Sequence, residues 1–82
     1  MTPTPSASAR RRALEILAGA PDGMTQTVMV VTHGFELRLV RELTTYGFVS
    51  ATVEHVTAGE REMRVTRLRI TDKGRQMLAE KR

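Results

Sequence analysis

The apolar residues of this chain change their spacing once, at Gly47, and that change limits most strongly what the chain can fold into. On the N-terminal side, residues 35–46 read as a helix. At about 100° per residue, Phe35, Leu39, Val40, Leu43 and Tyr46 fall within an arc of roughly 140°, the stripe a core-facing helix needs. The opposite arc carries Leu37, Arg38, Arg41, Thr44 and Thr45. Glu36 falls in the first turn, where the helix dipole favours a carboxylate, and Gly47 ends the helix. From Phe48 onward the period is two. With Gly59-Glu60 as the turn of a hairpin, Val49 pairs with Ile70, Ala51 with Leu68, Val53 with Thr66 and His55 with Arg64. Val49, Ala51, Val53, Leu68 and Ile70 then share one face, while Arg67 and Arg69 project from the other beside Thr52 and Ser50. A slip of one residue would scatter the apolar set over both faces, so the register is well specified at the base of the hairpin.

The flanking segments are weaker in signal. Residues 1–9 hold Pro, Thr, Ser and Ala, too few apolar groups to pack, and read as a flexible tail. Ser8 can cap a first helix, in which Ala13, Leu14, Ile16, Leu17 and Ala18 recur at helical spacing until Gly19-Ala20-Pro21-Asp22-Gly23 stops it. Residues 24–33 pull two ways. Thr27, Val28, Val30, Val31 and Thr32 are β-branched and suit a strand, whereas Thr25 is a good N-cap, Met24 and Met29 stand at staple positions, and His33-Gly34 is a natural stop. These three features predict a short helix. Thr71 can cap a closing helix that runs through Met77 and Leu78 to Lys81-Arg82. The expected order is helix, helix, helix, two-stranded hairpin and short helix: one α+β domain over residues 10–82.

A chain of 82 residues buries only roughly 60–65% of the surface it exposes when unfolded, which argues against a deep pocket enclosed for chemistry. With 40% hydrophobic and 27% charged residues the composition is that of a folded domain. The absence of Cys removes disulfides, thiolate ligands and a cysteine nucleophile together, and suits a reducing compartment. No signal-like or membrane-spanning apolar run is visible, so a cytoplasmic location is expected. His33 and His55 read as a turn and a strand residue with no accompanying ligand set, and Ser6, Ser8 and Ser50 have no base at recognisable spacing. No metal, cofactor, small-molecule ligand or catalytic role is expected. Met24, Met29, Met63 and Met77 read as fillers of the core or of apolar patches on the hairpin, and Tyr46 as part of the buried stripe.

The net charge of +4 is unevenly spread. Arg10, Arg11 and Arg12 lie together. Residues 13–59 carry two basic side chains against five acidic ones, and residues 60–82 carry eight against four. Both ends are basic and the middle is not, a polarity suited to gripping a polyanion through terminal and hairpin contacts.

Gly47-Phe48-Val49 at the close of the third helix and Ile70-Thr71-Asp72-Lys73-Gly74-Arg75 after the hairpin resemble the winged helix-turn-helix domains of small bacterial transcription factors. In their commoner forms a Leu-Glu-x-x-Gly-Leu-Val run ends the recognition helix and a Leu-Thr-x-x-Gly-x run follows the wing. The similarity covers about residues 10–80 and singles out no one family. It implies a three-helix core, a two-stranded antiparallel wing and a short C-terminal helix, with residues 35–46 entering the major groove of double-stranded DNA and the hairpin lying along the backbone or an adjacent groove. On that implication Arg38 and Arg41 are candidates for guanine, Thr44 and Thr45 for phosphate or a thymine methyl, and Leu37 for the methyl. Arg61, Arg64, Arg67 and Arg69, with Arg10, Arg11 and Arg12, are candidate phosphate contacts. The competing expectation is a protein-interaction module or a homodimer through the outer face of the hairpin tip, where Val56 opposes Met63 with Val65 near.

Overall fold

The computed structural model describes residues 7–80. In chain order it contains α1 (Ala7–Ala18), β1 (Met24–Thr25), a π-helical segment (Val28–Thr32), α2 (Leu37–Thr45), β2 (Val49–Ala58), β3 (Arg61–Ile70) and α3 (Asp72–Ala79). The strands form one antiparallel sheet in the order β1-β3-β2. Helices and the base of the sheet close on a single core of Ala13, Leu14 and Leu17 from α1, Met29, Phe35, Leu39, Val40 and Leu43 from α2 and the segment before it, and Val49 and Leu68 from the sheet. Each of the fully buried leucines contributes about 1.5–3 kcal/mol through the surface it removes from water.

The first helix starts at Ala7, so Ala7–Ala9 are helical where a tail was expected, and Ser8 lies inside the helix where a cap was expected. Ala is the strongest helix former and Ala9 packs against the edge of the core, so the helix extends into the polar segment. The rest of the expected tail, and Lys81-Arg82, lie outside the described residues.

The ambiguous residues 24–33 realise both tendencies in series: the short helix expected after Thr25 forms over residues 26–32, with a wider turn than expected, and Met24-Thr25 add a strand that was not expected. Met24 and Thr25 pair with Leu68 and Arg67 as a third strand, and only from residue 26 does the chain become helical. Thr25 sits at the junction, where its Oγ1 accepts the Val28 N–H (3.3 Å) as an N-cap does. Four of the five residues in Val28–Thr32 are β-branched, a type that crowds a regular α-turn, and the segment widens until the His33 N–H reaches the Val28 carbonyl at 3.1 Å.

Phe35 precedes α2 and is buried, while Tyr46 lies just past its end and is 53% exposed. Tyr46 is therefore not in the buried stripe. The chain leaves the helix through Gly47 (φ +82°), where the Gly47 N–H donates to the Thr44 carbonyl (3.1 Å) and the Phe48 N–H to the Leu43 carbonyl (3.0 Å). In this Schellman ending the residue after the glycine turns back onto the helix. Phe48, half-buried, packs against the core instead.

The hairpin register is the one read from the period-two pattern, from Val49 opposite Ile70 to Ala58 opposite Arg61, with no bulge. Only its base reaches the core: every residue from 55 to 64 is exposed. Ten-residue strands extend about 33 Å, a large part of the molecule's 49 Å length.

The two resemblance-bearing runs meet at one joint. Thr71 Oγ1 donates to the Gly47 carbonyl (2.7 Å) and accepts the Gly74 N–H (3.1 Å), capping α3, while the Thr71 N–H donates to the Phe48 carbonyl (3.0 Å). Lys73 Nζ donates to the Tyr46 carbonyl (2.8 Å) at the C-terminal end of α2, where a cation is favoured, and lies 5.3 Å from the Phe48 ring centre.

Candidate nucleic-acid interface

The outer face of α2 presents Leu37, Arg38, Arg41 and Thr45 to solvent. With Glu42 and Tyr46 they border a shallow concavity of about 390 Å³. Leu37 also borders a second hollow, about 190 Å³, formed with Gln26, Thr27, Val30 and Val31, so the two share one surface. Neither Arg38 nor Arg41 forms an ion pair among the described residues, although Glu42 lies on the same helix and Glu36 at its N-cap. They are three positions apart and therefore project from neighbouring turns of one face. Thr44 departs from the expected outward arc. It is half-buried and its hydroxyl donates to the Val40 carbonyl one turn back (2.9 Å), a helix back-bond that occupies its proton.

The hairpin arginines divide into two pairs. Arg61 and Arg64, near the turn, are exposed and without an ion pair among the described residues. Arg67 Nε donates to Glu54 Oε1 at 2.9 Å, and an Arg69 terminal nitrogen stands 3.8 Å from Glu54 Oε2. One carboxylate thus holds two of the four expected phosphate contacts. Glu54 lies opposite Val65, diagonal to Arg67, so a diagonal cross-strand reading of the sequence would have found the pair.

Arg10, Arg11 and Arg12 belong to α1, not to an extended arm. Arg11 forms an (i, i+4) ion pair with Glu15 (3.4 Å) and donates to the Leu78 carbonyl (3.0 Å), tying α1 to α3. The Arg12 guanidinium lies 5.4 Å from the Phe35 ring centre. Arg10 is half-buried with its Nε enclosed and without a hydrogen-bond partner. Arg11 and Arg12 are thus engaged within the domain. Sequence reasoning missed the Gln26–Val31 hollow; the Thr25 cap, followed outward, carries its signal.

Among the described residues no group of three or more His, Cys, Asp or Glu side chains could hold a metal ion. His33 stacks at a tilt near Phe35, with ring centres 6.3 Å apart, and His55 Nδ1 lies 4.0 Å from Glu62 Oε2 at the open end of the hairpin. No helix among the described residues is long and apolar enough to cross a membrane.

The class these features define is a small α+β domain with three α-helices and a three-stranded antiparallel sheet. Comparison with protein-family models, with curated proteins and with solved structures returns no match.

Proposed function

We propose that the chain is a winged helix-turn-helix domain that binds double-stranded DNA in transcriptional regulation, with α2 as the recognition helix and the β2–β3 hairpin as the wing. The observation that carries this reading is the pair Arg38 and Arg41, exposed on one face of α2 and free of ion pairs among the described residues, flanked by Leu37 and Thr45. The β1-β3-β2 order supports it, because it ties the segment between the first two helical elements to the hairpin that follows the third. In the major groove, each Arg is shaped to donate two hydrogen bonds to guanine O6 and N7, a contact that gives about 1–3 kcal/mol of discrimination. Leu37 and the Thr45 methyl suit a thymine methyl. Arg61 and Arg64 then hold backbone phosphate, fixing the register without reading sequence.

Titrating the labelled protein with a mixed-sequence duplex at two salt concentrations tests the reading. Shifts should concentrate on α2 and the hairpin tip and weaken as salt rises. Replacing Arg38 and Arg41 together by Ala should weaken binding to a selected site by about a hundredfold, from roughly 1–3 kcal/mol at each position. If DNA and heparin both leave the amide spectrum unmoved at low salt, the proposal is wrong. A protein partner is the second reading, favoured by Val56 and Met63, which face each other across the hairpin tip and are both exposed.

A further inference from the structure

We infer that β2 is a docking edge for a second copy of this chain, and that two hairpins join edge to edge about a two-fold axis at Val53 into one continuous sheet. The inference concerns self-association alone and does not rest on DNA binding.

The two long edges of the sheet are built differently. β1 covers β3 only at Leu68 and Arg67, and the uncovered part of β3 carries Arg61, Glu62 and Arg64, the charged guards that keep an open edge from pairing. β2 has none of these guards. Over ten residues it contains no Pro, Lys or Arg, it pairs with β3 without a bulge, and it is rich in Val and Thr. Its single acidic side chain, Glu54, is held by Arg67 and Arg69 of its own chain.

The direction of the free backbone groups follows from the ladder. Phe48 faces Thr71 in the hairpin register and accepts its N–H, so the pairs that exchange hydrogen bonds are those with even-numbered β2 residues. Val49, Ala51, Val53, His55 and Thr57 therefore turn their N–H and C=O away from β3. No backbone hydrogen bond from another element reaches these groups among the described residues. These five positions are symmetric about Val53. An antiparallel second copy centred there sets Val53 against Val53, Ala51 against His55 and Val49 against Thr57, and pairs all five outward positions at once.

Charge selects that register. With Val53 on the axis, Glu54 of each copy faces Thr52 of the other. Moving the axis to Glu54 would set two carboxylates directly opposite each other, which is unfavourable, and would leave Val49 unpaired. The chosen arrangement also covers Val53, which is 57% exposed in the single chain. The edge is thus complementary to itself in hydrogen bonding, in charge and in the exposed Val53 side chain on its axis.

Sedimentation equilibrium of the full chain without nucleic acid, up to about 1 mM, tests the inference. The expected result is a monomer–dimer equilibrium. Val53→Pro removes an N–H that points away from β3, so the hairpin ladder is kept, and it should raise the dissociation constant at least about tenfold with an unchanged circular dichroism spectrum. Met63→Lys, on the other strand, should leave the constant unchanged. Amide exchange provides a second readout on the native sequence: Ala51, Val53 and His55 should gain protection as concentration rises while their even-numbered neighbours do not. A chain that is monomeric at about 1 mM, a dimer that survives Val53→Pro but is lost in Met63→Lys, or odd and even amides equally protected would each overturn it.

Discussion

A Cβ at Gly74 would run into the Phe48 carbonyl oxygen and stand 2.7 Å from Ile70 Cγ1, so α3 can approach the base of the hairpin only because this residue has no side chain. Gly is otherwise a poor choice inside a helix, by about 1 kcal/mol relative to Ala. Gly74→Ala should nevertheless destabilise the domain, by about 2–4 kcal/mol, because one contact is backbone and cannot move aside. Urea denaturation measures it, and a variant as stable as the parent would show that α3 is free to shift. At this scale the sequence displays which residues matter without displaying why. Thr71, Lys73 and Gly74 were legible as a run, but their partners Tyr46, Gly47 and Phe48 lie across the whole hairpin, and only the folded chain brings them together.

Among elements, the hairpin was the most legible, because a period of two with one buried face at the base leaves a single consistent register. Residues 24–33 were the least. Their β-branched content and their capping signals are both real, and the edge of β3 that recruits Met24 and Thr25 lies far along the chain. Tyr46 shows a related limit, since a helical wheel cannot register where the backbone turns out of the helix. On the outer face of the hairpin, the Glu54 clamp makes a prediction about charge. Glu54→Gln should release Arg67 and Arg69, steepening the salt dependence of DNA binding by about one to two counterions and tightening it several-fold at low salt, with stability changed by less than about 1 kcal/mol. Anisotropy titrations across a salt series measure the slope. A slope equal to that of the parent would mean that these arginines stay clear of phosphate.

At the scale of the molecule, ten buried hydrophobic residues among those described carry the fold. Leu43, 1% exposed in the middle of that core, should cost about 2–5 kcal/mol when replaced by Ala, enough in a domain this small to unfold a large fraction of the chain at 37 °C. Calorimetry of Leu43→Ala checks this, with Met63→Ala as a near-neutral comparison at the exposed tip. The candidate site was legible only in part for a physical reason. Exposure can be read from periodicity, but whether a cation is free depends on which carboxylate or carbonyl reaches it, and Arg11 and Arg67 found such partners while Arg38 and Arg41 did not.

The hairpin passes out of the core near its base, and from residue 55 to residue 64 nothing in the interior constrains it. Its reach is therefore separable from the stability of the domain. Two residues added to each strand would carry the turn outward by roughly 6–7 Å and return every side chain to its original face, whereas one residue per strand would invert the tip. Length of the arm is a quantity this architecture can vary in steps of two, leaving the ten core residues as they are.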